Sequence, residues 1–418
     1  MNNICLRVKN VNNRGSYMNK TDIILFNNKK DCCDCSACRS ICPKGAIYMY
    51  LDEYGFEYPK INREKCISCG LCKKVCAFQN IEETNTPIET YVGIAKDENI
   101  ILNSASGGAF ATIAQAYLEN NGVVFGATFD DKFNVVHIGI NKVEDLYKLQ
   151  GSKYVQSSIG NTYKEVKKYL IEGKKVLFSG TPCQIAGLKG YLMKYYENLL
   201  TIDIICHGVP NSKFFKDYLR VLEDKLNGRI LQLKFRDKSI SWEKNGSIKY
   251  EVNRKVKIKK LYESESSYYY YFSRGDCFRE NCFICKYASS NRPGDITIGD
   301  YWGIESAHPE ILGKGKVKEE KGVSVIVANT QKGMTELDKL DKIYKYTSNF
   351  SKAKIKNGQL NNPSKKSSKY NEVMNIYKNE GYKAVNDLYN KEIGIKKYKN
   401  RVKSIIPNCF KRVIKRYI

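Results

Sequence analysis

From residue 91 onward the chain alternates short β-branched apolar runs with stretches of helical period. That alternation predicts an α/β domain with a largely parallel sheet. Tyr91 to Lys96 and Gly122 to Phe129 read as strands. Between them, Ser104-Ala105-Ser106-Gly107-Gly108 opens an apolar helix that runs to about Glu119. Val176 to Ser179 is a third strand, followed by Gly180-Thr181-Pro182-Cys183-Gln184 and another helix. Leu199 to Ile205 ends at Cys206-His207-Gly208, and Asp295 to Ile298 ends in Gly299-Asp300-Tyr301-Trp302. Residues 333–418 are Lys-rich and read as helical and peripheral. The longest apolar runs are strand-sized, so no membrane-spanning helix is expected, and no signal peptide is read at the N-terminus.

Four Gly- or Cys-bearing loops thus fall at strand ends or helix starts, the edge where open α/β sheets bind ligands. Ser104, Ser106, Gly107 and Gly108 stand at a helix N-terminus, where backbone N–H groups and hydroxyls suit a phosphate. A plain tight turn explains them equally. Neither a G-x-G-x-x-G fingerprint nor a P-loop is present.

Cysteine changes this picture most. Ten of the 16 Cys lie between Cys5 and Cys76 in a chain of 418 residues with no sign of export, which points to metal rather than disulfides. Cys32, Cys35, Cys38 and Cys42 form C-x2-C-x2-C-x3-C, and the spacing recurs at Cys66, Cys69, Cys72 and Cys76. In two-cluster ferredoxins three thiolates of one run hold a cubane and the fourth ligates the other cluster. Cys32, Cys35, Cys38 and Cys76 are therefore assigned to one [4Fe–4S] cluster, and Cys66, Cys69, Cys72 and Cys42 to a second. Cys33 is a spare thiol. Farther on, Cys183 and Cys206 each follow a buried strand, and Cys277, Cys282 and Cys285 form C-x4-C-x2-C. Each alone reads as a small core residue; together, beside turn motifs, they indicate a third cluster.

The expected organisation is an N-terminal extension (1–28), an α+β ferredoxin-like two-cluster domain (29–81), a linker (82–90), the α/β domain (91–332), and a basic helical C-terminal region (333–418). The net charge is +26, from 70 Lys plus Arg against 44 Asp plus Glu. Residues 351–418 hold 18 of those bases and 4 acids. A solvated tail accounts for this. A sharper reading starts at Pro407, after which Phe410, Val413, Ile414, Tyr417 and Ile418 repeat at helical spacing among Lys and Arg. That is a basic amphipathic helix suited to an anionic membrane surface. No nucleic-acid-binding signature accompanies the charge, so no nucleic acid is expected.

The runs GSKYVQS (Gly151 to Ser157), GTPCQIAGL (Gly180 to Leu188), ICHGVP (Ile205 to Pro210) and FRDK (Phe235 to Lys238) resemble the family of coenzyme F420 hydrogenase/dehydrogenase beta subunits. C-x4-C-x2-C-KYA followed by RPGDITIGDYWG (Arg292 to Gly303) completes the resemblance, in the bacterial branch with an N-terminal two-cluster domain. It implies a flavin (FAD) in the α/β domain and a [4Fe–4S] cluster beside it, held by Cys183, Cys206, Cys282 and Cys285, with Cys277 the alternative fourth ligand. The flavin region it implies maps onto Ser104 to Gly108, Gly151, Ser152, Lys153 and Tyr154, and Thr181, Pro182 and Gln184. Lys153 is the candidate to sit by the flavin ring or a phosphate, and His207 to tune the cluster or relay a proton. Both read equally as structural residues, and His137 and His308 read as structural. Asp300 holds either a turn or a cofactor hydroxyl.

The expected activity is a cytoplasmic iron–sulfur flavoprotein oxidoreductase that joins hydride exchange with a small-molecule or glycan-linked substrate to a ferredoxin-type carrier or partner enzyme. It would be peripheral at the inner membrane face if the tail binds lipid. The deazaflavin coenzyme is one substrate of the family. The alternatives are an electron-transfer subunit or a redox sensor, neither with its own substrate site.

Overall fold

The computed structural model describes residues 23–80, 84–312, 317 and 319–394. The amphipathic segment expected from Pro407 lies outside them, as does most of the N-terminal extension. Thirteen strands occur among the described residues: β1 (Ile47–Leu51), β2 (Glu57–Ile61), β3 (Glu89–Ala95), β4 (Val123–Phe129), β5 (Val135–Ile140), β6 (Val176–Gly180), β7 (Leu199–Ile204), β8 (Arg229–Lys234), β9 (Gly246–Val252), β10 (Lys255–Leu261), β11 (Ile296–Asp300), β12 (Ser324–Ala328) and β13 (Ile343–Ser348).

Eight of them form one sheet in the order β13-β3-β12-β11-β7-β6-β4-β5. The central strands β11, β7, β6 and β4 run parallel, as expected. The flanks are antiparallel: β5 on one side, β12, β3 and β13 on the other. Central strands such as Val-Leu-Phe-Ser-Gly (β6) are buried at every position, because helices cover both faces of a parallel sheet. The segment beyond residue 333 departs from expectation. Ile343-Tyr-Lys-Tyr-Thr-Ser348 is an edge strand paired with β3, its alternating pattern hidden in a Lys-rich stretch. The helix Tyr370–Ile393 buries Val373, Tyr377, Val385 and Tyr389 in an aromatic core with Phe214, Phe215 and Tyr268. That core also supports the separate sheet β10-β9-β8, which the sequence pattern did not reveal.

The two-cluster region is a β1–β2 hairpin flanked by two short helices, Ala37–Ile41 and Leu71–Lys74. It packs against the helix Pro182–Leu192, and glycine makes the approach possible. A Cβ at Gly187 would stand 2.8 Å from the Cβ of Cys35, and one at Gly190 would stand 2.8 Å from the Val75 carbonyl oxygen. The same helix begins at Thr181, whose Nα–H and hydroxyl both reach Gln184 Oε1 in a capping box (3.0 and 3.1 Å).

Candidate redox centre

The two cysteine runs fold alike. Asp34 and Ser36, on either side of Cys35, have φ of +54° and +61°; Ser68 and Gly70, on either side of Cys69, have +54° and +74°. Left-handed backbone at Asp34, Ser36 and Ser68 costs about 1–2 kcal/mol per residue and is tolerated where a site needs it. Here it curls each loop so that thiols and amides face inward: Ala46 N–H donates to Cys42 Sγ (3.2 Å) and Ser68 N–H to Cys66 Sγ (3.4 Å). Amide–sulfur bonds of this kind stabilise thiolate.

Three thiol-lined cavities result. Cys42, Cys66, Cys69 and Cys72 line the distal one with Lys44 and Ile67, and Cys69 is exposed. Cys32, Cys35, Cys38 and Cys76 line the middle one, with Cys33 and Cys72 shared into its wall. Cys183, Cys206, Cys282 and Cys285 line the proximal one, again with Cys33. Among the described residues no three His, Cys, Asp or Glu converge on a single-ion site. A cubane presents corners, so its thiolates ring a cavity rather than meet at a point. Soft thiol donors around such cavities fit iron–sulfur clusters. Cys277 stands apart, fully buried in the aromatic core and outside the proximal lining.

Cys183 is the proximal thiol with the most thiolate character. The Cys33 thiol donates to it, Thr181 Oγ1 lies 3.2 Å away, and together they bring it down to about 7 against the opposing effect of burial. Burial pushes Cys206 up to about 12 and Cys285 up to about 11. Behind this cavity Arg292 and Asp203 form a fully buried pair, Nη2 and Nε donating to the same carboxylate oxygen at 2.7 and 3.0 Å. Asp203 also accepts from Gly294 N–H and Thr297 Oγ1, and Arg292 Nη1 donates to Tyr287 O. The pair pins the β7 end, which leads to Cys206, to the loop before β11. Sequence reading missed it, although Arg292 opens the R-P-G-D motif.

A cleft of about 750 Å³ opens beside the proximal cavity at the carboxyl ends of β4, β6, β7 and β11. Ser104, Ser106, Gly108, Gly151, Ser152, Lys153, Tyr154, Thr181, Gln184, His207 and Asp300 all line it. Gly107 does not; it packs against the Gly93 carbonyl, where a Cβ would come to 2.3 Å. Pro182 lines the proximal cavity instead. The cleft and that cavity share Ser157, Thr181, Gln184 and the run from Cys206 to Val209.

Lys153 Nζ donates to the Gln150 and Lys148 carbonyls (2.8 and 3.2 Å), and burial brings its pKa down to about 7. Tyr154 stacks on Phe272 at 4.7 Å. Lys238, in the FRDK run, donates to Ile101 O and Ser106 O and so ties down the loop that carries Ser104 and Ser106. Asp300 accepts from Arg236 Nη1 (2.5 Å) and Trp242 Nε1 (2.9 Å), so its carboxylate is already engaged. His207 lies between Phe272 and Phe278, and burial lowers its pKa.

His137, read from sequence as structural, lines the cleft. Its Nε2 lies 3.1 Å from the Ser179 carbonyl, which can only accept, so Nε2 carries the proton and Nδ1 is an acceptor without a partner among the described residues. Burial holds it at about 4, neutral near pH 7. His308 hydrogen-bonds Ser348 and Glu310 away from the cleft. Sequence reading also missed the cleft wall from Glu243, Lys244, Glu263, Lys356, Asn357 and Gln359. Only the topology brings those segments together.

Comparison with known proteins adds two domain matches. Residues 173–352 match the family described as coenzyme F420 hydrogenase/dehydrogenase, C terminus of the beta subunit, and residues 31–80 match a 4Fe-4S dicluster domain. The F subunit of the F(420)H(2) dehydrogenase of Methanosarcina mazei is 24% identical over 225 residues, 49% of this chain and 60% of that protein. The coenzyme F420-dependent sulfite reductase of Methanocaldococcus jannaschii is 29% identical over 188 residues, 43% of this chain and 28% of that protein. The chain thus spans less than two thirds of either relative. A solved structure of the F420-reducing [NiFe] hydrogenase complex from Methanosarcina barkeri aligns with a TM-score of 0.42 at 15% identity, covering 64% of this chain and 85% of that one.

Proposed function

On the premise that this chain joins a 4Fe-4S dicluster domain to the C-terminal domain of the coenzyme F420 hydrogenase/dehydrogenase beta subunits, we propose that it is an iron–sulfur flavoprotein oxidoreductase. It would pass electrons between a small molecule in the cleft and an external one-electron carrier. The observation that carries this reading is the row of shared walls. Cleft and proximal cavity share Cys206 and His207, proximal and middle share Cys33, and middle and distal share Cys72, ending at the exposed Cys69.

In this reading Cys183, Cys206, Cys282 and Cys285 hold the proximal cluster, Cys32, Cys35, Cys38 and Cys76 the middle one, and Cys42, Cys66, Cys69 and Cys72 the distal one. Ser104, Ser106, Gly108, Gly151, Ser152, Lys153, Tyr154, Thr181 and Gln184 cradle the flavin. A flavin supplies the exchange between two-electron hydride and single-electron chemistry, and the clusters supply one-electron sites. The chain's own residues position and tune. Lys153, with a pKa of about 7, is poised to hold or release a proton in the cleft. His137 offers Nδ1 to a donor there, and the amide-rich wall at Asn357 and Gln359 orients a polar substrate. The deazaflavin coenzyme is the first substrate to try, because both relatives are named for it. A glycan-linked intermediate at a membrane surface, reached through the basic residues beyond 394, is the next.

Anaerobic purification with iron, sulfide and flavin counts tests this. About twelve iron and one flavin per chain match three cubanes and a hydride-handling centre. About eight iron and no flavin would sink it. In a second reading the chain is an electron-transfer subunit that feeds a partner enzyme, and one relative being named as a subunit favours it. It gains if the loaded protein exchanges electrons with carriers but leaves reduced deazaflavin and other hydride donors untouched.

A further inference from the structure

Two arginines are fully buried beside the thiol-lined cavities, and they differ in how their charge is met. Arg292 is neutralised by Asp203 at 2.7 Å. Arg279, between the proximal and middle cavities, is not met in this way. Its Nε and Nη2 donate to neutral carbonyls, Cys32 O and Glu57 O, each at 2.8 Å. Its nearest acid, Asp34, stands 3.9 Å from Nη1, beyond hydrogen-bond range, and is instead held by Gln156 Nε2 at 3.0 Å. Nη1 is buried and has no hydrogen-bond partner among the described residues. The guanidinium lies 4.1 Å over the Tyr58 ring, which adds attraction but no charge.

A guanidinium cannot shed its proton, so this site keeps a positive charge in the buried interior. An incompletely paired buried charge costs several kcal/mol unless a neighbouring group makes use of it. Its neighbours are thiols that the proposed function assigns to two clusters. Arg279 lines the proximal cavity, bonds the backbone of Cys32 in the middle one, and its charge favours the thiolate forms of both Cys183 and Cys32. Among the described residues the distal cavity has only the exposed Lys44 as a cation in its lining, and no buried guanidinium.

We propose that Arg279 is a positioning residue shared by the proximal and middle clusters, whose buried charge and free Nη1–H raise the reduction potentials of both together. A fixed cation favours the reduced, more negative state of whatever it faces, and a donor to sulfur acts in the same direction. Because one group serves both sites, the two potentials stay matched to each other while the distal one is set separately. This assignment rests on the three-cluster reading.

The test is a redox titration of the purified, cluster-loaded full-length protein, with each cluster followed by electron paramagnetic resonance. Wild-type iron content tests the three-cluster reading by itself. Arg279→Met and Arg279→Gln, both without charge, are expected to make reduction of the proximal and middle clusters at least tenfold less favourable, a fall of about 59 mV for a one-electron couple. The distal cluster should hold its wild-type value, and Arg279→Lys should recover most of the shift. Should the uncharged variants fail to load iron, Asp34→Asn, which removes the carboxylate nearest the guanidinium, must raise the same two potentials and leave the distal one unchanged. Unchanged potentials in variants that retain wild-type iron, or equal shifts in all three clusters, would overturn the proposal.

Discussion

The dicluster region and the proximal cavity solve one problem in opposite ways. Residues 31–80 carry eight of their thiols on two loops of one repeated conformation, each curled by left-handed residues at matching positions. The proximal cavity draws four thiols from separate segments, the β6–helix turn at Cys183, the β7 end at Cys206 and the loop at Cys282 and Cys285. The first arrangement is set by short-range backbone geometry. The second depends on strand order, and behind it stands a buried ion pair rather than a local turn. The lesson is that similar donor sets carry different risks: a local loop tolerates change elsewhere, whereas a topological site fails when the framework shifts.

The largest effect should come from breaking that framework. Asp203→Asn leaves Arg292 buried without its counter-charge and is expected to cost about 3–5 kcal/mol in chemical denaturation. Proximal iron should be lost while the two-cluster signals persist. Equal loss from both regions would erase the distinction. Cys69→Ser should do the reverse and remove about four iron from the exposed end, leaving folding midpoint and flavin content unchanged.

A pH series sharpens the comparison further. His137 titrates at about 4 in the folded chain against 6.5 when exposed, so the unfolded state binds more protons between those values. Stability from its neutral form is present above pH 6.5 and is lost as pH falls toward 4, up to about 3 kcal/mol. His137→Phe should flatten that part of the acid slope. An unchanged slope would show that the ring is not held neutral. The smallest effect on iron belongs to Cys277→Ser. It should keep wild-type iron and cost about 1–3 kcal/mol for a hydroxyl in an aromatic core. Loss of the proximal cluster in that variant would return Cys277 to the ligand set.

What the sequence made legible follows the same division. Both cysteine runs, and the strands that end at Gly180, Ile204 and Asp300, were readable because spacing and apolar runs are local signals. The four proximal cysteines were readable as a group only through turn motifs and family resemblance. Arg279 was not, because a charge inside C-x4-C looks like a spacer until the fold shows what surrounds it. Strand β13 was hidden by lysines that the edge of a sheet accommodates easily. The cleft wall at Lys356 to Gln359 and the His137 tautomer depend on contacts between segments far apart in the chain, which no window of sequence contains.

The glycine seam at Gly187 and Gly190 bears on how such a protein can be assembled from parts. The helix that carries Cys183 at its start also receives the dicluster region along its flank, with no room for a methyl group at either glycine. A ferredoxin borrowed from elsewhere and tied on by a linker would bring its own clusters but not this fit, and the separation of the thiol sets would no longer be fixed. The two regions therefore form a single inheritable unit, so successful swaps between relatives should exchange the ferredoxin-type region and this helix together.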